Sequence, residues 1–216
     1  MDFLSTLPFW KDLTQEEQEQ LRQGAQMHHF KKGDIMDQGT SQCTGLEMII
    51  EGQVRVFLPS PQGNEITLYR LLEQDVCILS AGCMFPSLTF DISMEFEEDT
   101  RILLLPKQLL HQLSEKNGKV KDFTMELMTD RFSSVMNTMY DVMFSNNEHR
   151  LAQALYTQIQ LQGSLTLSLT HEQLAKELGT AREVISRLLK QLQKEGILKQ
   201  SRGCVTILDE HKLNAI

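Results

Sequence analysis

Apolar residues change their period along the chain, and the changes divide it. Over residues 14–24 the sequence is largely polar with Leu21 facing inward. Thr14 followed three positions later by Glu17 has the spacing of a capping box, so a short helix is predicted there. From residue 30 to 105 the apolar residues gather instead in short stretches rich in Ile, Val, Leu and Phe. Gly33, Gly39, Gly45, Gly52, Gly63 and Gly82 separate them. Glu51-Gly52 and Gly63-Asn64 sit between such stretches as hairpin turns do. Many short strands at this spacing predict an antiparallel barrel or jelly roll.

A different period begins near residue 119 and holds to 144 without an internal glycine or proline. Met125, Met128, Phe132, Val135, Met139 and Val142 recur in steps of three and four, the a/d seam of a helix that pairs with another helix. The alternative is an amphipathic helix packed on its own domain. A strict 3.5-residue period and a position between two modules favour self-pairing. Ser145-Asn146-Asn147 then breaks the pattern like a hinge.

Beyond it, residues 150–159 read as helix and 166–169 as a short strand. Thr170 with Gln173 opens another helix, with Leu174, Ala175 and Leu178 inward and Gly179 closing it. Thr180 with Glu183 has the spacing to open the next helix, which runs to Glu195 and stops at Gly196. Two short strands turning at Arg202-Gly203 follow. With Arg182 at zero and about 100° per residue, Ser186, Lys190, Glu183, Lys194 and Arg187 fall between about 40° and 140°. Ala181, Val184, Ile185, Leu188, Leu189 and Leu192 fall between about 200° and 340°. One face packs and the other carries Arg, Glu, Ser, Arg and Lys. A tight glycine turn joins this helix to the one before, the layout of a helix-turn-helix.

Such a face suits the DNA major groove. Arginine pairs bidentately with guanine O6 and N7, and glutamate accepts from cytosine N4. Arg182, Glu183, Ser186 and Arg187 are the base-reading candidates. Thr170, Thr180, Lys190, Lys199 and Arg202 are the candidates for phosphate contact, which fixes register without reading sequence. The competing explanation is a solvated face with an internal Glu183–Arg187 pair. Glu183 also suits capping Thr180.

A net charge of −8 argues against a polyanion partner until its distribution is seen. Residues 1–147 hold 12 Lys and Arg against 22 Asp and Glu, a balance of −10; residues 148–216 hold 9 against 7, a balance of +2. Between Arg182 and Arg202 six basic residues face two acidic ones, so an acidic module precedes one able to approach a polyanion. Apolar runs such as 77–79 and 102–105 fall far short of the ~18 residues that cross a bilayer. No basic, apolar leader opens the chain, and a cytoplasmic protein without membrane association is expected. Cys43, Cys77, Cys83 and Cys204 form no CxxC pair, which disfavours a structural zinc, an iron–sulfur cluster or a disulfide scaffold.

The stretch 169–179, LTHEQLAKELG, followed by TAREVISRLLK over 180–190, resembles the helix-turn-helix of the cyclic-AMP receptor protein and fumarate–nitrate regulator (Crp/Fnr) family of bacterial transcription regulators. The family's R-E-x-x-[GS]-R pattern is matched by Arg182, Glu183, Ser186 and Arg187. FKKGDI over 30–35 with Gly39, and IEGQVRV over 50–56, resemble its sensor barrel. The resemblance spans nearly the whole chain. It implies an α+β protein with a cyclic-nucleotide-binding-like jelly roll (residues 1–112), a dimerisation helix and hinge (113–147) and a winged helix-turn-helix (148–216). It also implies a homodimer on an inverted repeat of double-stranded DNA, with RNA polymerase as a further partner. The dimer seam is expected at Met128, Phe132, Val135, Met139 and Val142.

Two family patterns are missing. Members that bind cyclic AMP carry a Gly-Glu pair and an Arg-Ser or Arg-Thr pair, whereas residues 73–86 here contain neither. No arginine lies between Arg70 and Arg101. A buried phosphate without a cation is strongly disfavoured, so cyclic AMP is rejected and the effector is left unknown. The N-terminal four-cysteine cluster of the oxygen-sensing members is missing too. Cys77 and Cys83 stand where the cassette would be, either as a thiol switch or soft-ligand site, or as core residues. His28-His29 as metal or haem ligands would point to opposite faces of a strand. No cofactor or metal is indicated, and no nucleophile–base pair suggests an enzyme. The rivals are an assembly-only barrel, a thiol-based redox sensor or enzyme, and a small-ligand-binding module without DNA binding.

Overall fold

A computed structural model describes residues 3–38, 45–61, 63–77 and 92–216. The chain divides into two compact units, residues 1–58 with 68–136 and residues 59–67 with 137–216.

In the first unit two short 3-10 turns precede α1 (Gln15–Gly24), whose Thr14–Glu17 capping box forms as expected. The strands β1 (Gln26–Phe30), β2 (Ile35–Gln38), β3 (Gly45–Glu51), β4 (Val54–Pro59), β5 (Glu65–Leu71), β6 (Val76–Cys77), β7 (Ile92–Phe96) and β8 (Thr100–Pro106) form two four-stranded sheets. Their orders are β1-β8-β3-β6 and β2-β7-β4-β5, and each described pairing is antiparallel. This is the jelly-roll class anticipated from the glycine-punctuated stretches.

β3 is buried along nearly its whole length because both of its faces are covered. Ile49 joins Val54, Val56, Leu71, Ile92, Met94, Phe96 and Ile102 in one apolar cluster. Leu46, Met48 and Ile50 join a second, built with Leu4, Leu7, Phe9, Trp10, Leu21, Leu110, Leu113 and Val120. A strand packed on two sides reads as a continuous apolar run rather than an alternating one. The second cluster draws on the 3-10 turns and on α2 (Lys107–Lys116), which the pattern reading did not anticipate. In these short pieces two or three apolar residues settle the packing, too few to show a period. Arg70 binds Glu97 through Nε to Oε2 at 2.8 Å and Nη2 to Oε1 at 3.1 Å. Burial pushes the Glu97 carboxyl up, but the bonds from Arg70 outweigh it and hold the group below its ordinary value. The helix α3 (Gly118–Phe144) has the predicted length.

The second unit contains α4 (Asn147–Gln162), β9 (Thr166–Leu167), α5 (His171–Leu178), α6 (Arg182–Lys194), β10 (Leu198–Ser201), β11 (Cys204–Ile207) and α7 (Glu210–Asn214). Within the break at 145–147 the Asn146 side chain accepts from His149 N–H and caps α4. β10, β11 and β9 form one antiparallel sheet. Leu151, Leu155, Leu174, Leu178, Ile185, Leu189, Leu192, Leu198 and Val205 build its core.

Candidate nucleic-acid interface

Thr170 caps α5 through a complete capping box: its hydroxyl accepts from Gln173 N–H at 3.1 Å, and Gln173 Oε1 accepts from Thr170 N–H at 2.8 Å. The helix closes at Gly179, in the left-handed region at φ 64°, whose N–H reaches the carbonyls of Ala175 and Lys176. Thr180 N–H also bonds the Ala175 carbonyl. That bond corrects one expectation. Thr180 does not open α6; it belongs to the closure of α5, and Ala181 stands at the N-cap with no side-chain cap. Glu183 therefore has no capping duty, and its carboxylate projects into solvent.

α6 buries Ile185, Leu188, Leu189 and Leu192 and exposes Arg182, Glu183, Arg187, Lys190 and Lys194, with Ser186 half-buried between them. The packed and polar arcs fall where the helical wheel puts them, except that Ala181, at the N-cap, is exposed instead of packed. Among the described residues no ion pair or side-chain hydrogen bond occupies Arg182, Glu183, Arg187 or Lys190, so the internal Glu183–Arg187 pair does not form. A groove of about 690 Å³ runs along this arc, lined by His171, Arg182, Glu183, Ser186, Arg187, Lys190, Gln191 and Lys194. Uncommitted cations and a carboxylate along an open helix face can take phosphates and base edges. Thr170, Lys199 and Arg202 are exposed, Arg202 in the turn between β10 and β11, while Thr180 is half-buried. The pattern reading missed His171 and Gln191 as groove residues. His171 was legible in principle, since it follows directly on the Thr170 cap.

Residues 149–216 match the Crp-like helix-turn-helix domain. The chain is similar over 98% of its length to a solved protein of Eubacterium rectale described as a transcriptional regulator of the Crp/Fnr family. Identity is 37%, 98% of that chain is covered, and the TM-score is 0.92. The chain belongs to the Crp/Fnr family of transcription regulators. The fumarate and nitrate reduction regulatory protein of Vibrio cholerae is 27% identical over 85% of this chain and 75% of its own. A c-di-GMP-responsive global regulator of Xanthomonas campestris shares the fold at 16% identity, covering 90% of this chain and 99% of its own, with a TM-score of 0.75. α5 and α6 are thus the family's DNA-binding helix-turn-helix.

On α3 the seam candidates divide. Phe132, Met139 and Val142 are exposed by 66%, 51% and 45%, while Met128 and Val135 are half-buried. Met125, Met136, Tyr140, Met143 and Phe144 are exposed as well. These apolar side chains stand in water within one chain. Cys77 is fully buried. Burial pushes the neighbouring Tyr69 hydroxyl well above its ordinary value, and the adjacent Cys77 adds to the rise. Cys43 and Cys83 lie outside the described residues. His28 and His29 are exposed on β1, and no group of three or more His, Cys, Asp or Glu able to hold a metal occurs among the described residues. No helix there is long and apolar enough to cross a membrane.

Proposed function

We propose that this regulator binds an inverted-repeat DNA site as a homodimer. Arg182, Glu183, Ser186 and Arg187 read base edges, and Thr170, Thr180, Lys190, Lys199 and Arg202 hold phosphates. The observation that carries this reading is the α6 arc: exposed, polar and free of internal ion pairs. Its charges keep their hydration in the free protein and exchange it for DNA and released counterions on binding.

The two protomers pair along α3, through Phe132, Val135, Met139 and Val142 with Met128 at the flank, as support from the exposed apolar stripe suggests. Pairing would place two recognition helices on successive major grooves about 34 Å apart. By role, residues 1–112 sense, 113–147 dimerise and 148–216 bind DNA. The protein acts in the cytoplasm, without catalytic activity of its own, and meets RNA polymerase at its promoters. Its effector is not cyclic AMP, because the segment between Arg70 and Arg101 offers no arginine to a buried phosphate.

Anisotropy titrations of a mixed-sequence duplex at several salt concentrations test the reading. Affinity should fall steeply with salt, with a log–log slope set by the number of phosphates neutralised. A folded protein with no affinity for any duplex at low salt refutes it.

A further inference from the structure

His171 opens α5 and lines the same groove as Arg182, Arg187 and Lys190. The ring is half-buried, with Nε2 3.2 Å from Oε1 of Gln200 on β10. An amide oxygen only accepts, so Nε2 donates, and in the neutral ring Nδ1 is left as an acceptor. Gln200 N–H in turn donates to Gln193 Oε1 of α6 at 2.9 Å, so the imidazole stands where α5, α6 and the β10–β11 hairpin meet.

The charged groups around it are mostly cationic. α6 contributes Arg182, Arg187, Lys190 and Lys194 with one carboxylate, Glu183; along the chain Glu172 follows the histidine on α5, Lys199 precedes Gln200 on β10, and Lys176 of α5 is paired with Glu65. Among the described residues nothing accepts a hydrogen bond from Nδ1. A second proton turns Nδ1 into a donor and the ring into a cation. DNA laid in this groove supplies the missing acceptor as a phosphate oxygen beside Thr170.

We propose that His171 is a phosphate-contacting residue whose protonation is coupled to DNA binding, so that the protein takes up a proton on the duplex. The proposal rests on the DNA-binding reading above and adds to it a pH dependence. Affinity rises as pH falls from 8 towards 6, the interval in which imidazoles titrate, by up to about tenfold per unit for each protomer engaged. A gained cationic contact also steepens the salt slope by about one unit.

The experiment is anisotropy of the full chain with a mixed-sequence duplex of about 40 base pairs, at pH 8 and pH 6 and several salt concentrations. The native protein should bind at least about threefold more tightly at pH 6, with the steeper slope there. His171→Gln retains an N–H for Gln200 but carries no charge, and should bind alike at both pH values. His171→Arg, always charged, should be insensitive to pH and tighter than His171→Gln at pH 8. Melting curves of both variants verify that they are folded. A folded His171→Gln variant that keeps the native pH dependence overturns the proposal, as does a folded His171→Arg variant no tighter than it at pH 8. Native binding at pH 8 that does not strengthen at pH 6 overturns this proposal alone. No binding at either pH overturns the DNA reading with it.

Discussion

Two glycines in the C-terminal unit have almost the same backbone and different surroundings, and together they separate two costs. Gly163 closes α4 at φ 60°, ψ 28°, and Gly179 closes α5 at φ 64°, ψ 37°. A Cβ at Gly163 would meet nothing within 4 Å; at Gly179 it would lie 3.2 Å from Ile66 Cβ and 3.3 Å from the Glu65 carbonyl oxygen. A left-handed non-glycine residue costs about 1–2 kcal/mol. Alanine returns about 0.4–1 kcal/mol by restricting the unfolded chain. Gly163→Ala should therefore lose about 1 kcal/mol. Gly179→Ala bears the same loss and must also displace the Ile66 side chain and the Glu65 carbonyl by a few tenths of an ångström, adding about 1–3 kcal/mol of overpacking. Urea unfolding followed by far-ultraviolet circular dichroism measures both. DNA affinity at a concentration where both variants remain folded supplies a second readout. The Gly179 turn sets the direction of α6, so that variant should bind less well and Gly163→Ala should not. Equal stability losses, or unchanged DNA affinity in Gly179→Ala, would refute the argument from crowding at the turn.

Arg187→Ala should cost about 1–3 kcal/mol on the preferred site and relax selectivity at one base pair; equal loss on preferred and random duplexes would remove base reading from that residue. Lys199→Ala and Arg202→Ala should each weaken all sequences alike and lower the salt slope by about one unit in anisotropy titrations. Met139→Glu should give monomers in sedimentation, since a carboxylate buried at a helix seam loses hydration without a partner; a variant that stays a tight dimer would mean that α3 pairs elsewhere. Glu97→Gln should destabilise the barrel by about 2–3 kcal/mol, because the Arg70 guanidinium, 9% exposed, loses a charged partner. The Glu97 carboxyl lies below its ordinary value when folded. Its contribution is thus complete above the ordinary carboxylate range and fades as pH falls through the lowered value, so urea midpoints of native and variant should converge in acid.

The C-terminal unit was legible because its helices are amphipathic and separately capped. Thr170, Gln173 and Gly179 mark the ends of α5 in the sequence as they do in space, and the polar arc of α6 needed only a 100° rotation per residue to be found. Thr180 misled for a local reason. A threonine three residues ahead of a glutamate has the composition of a capping box, but Gly179 had already turned the chain and committed the Thr180 N–H to Ala175. Two capping signals competed over four residues, and the closing one prevailed. The short elements α2 and α7 were lost for another reason: with two buried leucines in α2 and one in α7, neither holds enough apolar residues to show a period.

On α3 sequence and structure differ in what they can determine. The 3-4 spacing selects Met128, Phe132, Val135, Met139 and Val142, while exposure in the single chain selects Met125, Phe132, Met136, Met139, Tyr140, Val142, Met143 and Phe144. On a helix of 3.6 residues per turn the second set lies about 60° round from the first. Spacing alone cannot separate them, because several apolar stripes satisfy it when Met, Val, Phe and Tyr crowd one helix. Burial can, since Met128 and Val135 are already half-covered within the chain and Met136 and Met143 are not. Phe132, Met139 and Val142 belong to both sets. They are the side chains on which the proposed pairing along this helix would rest, whichever neighbours flank them.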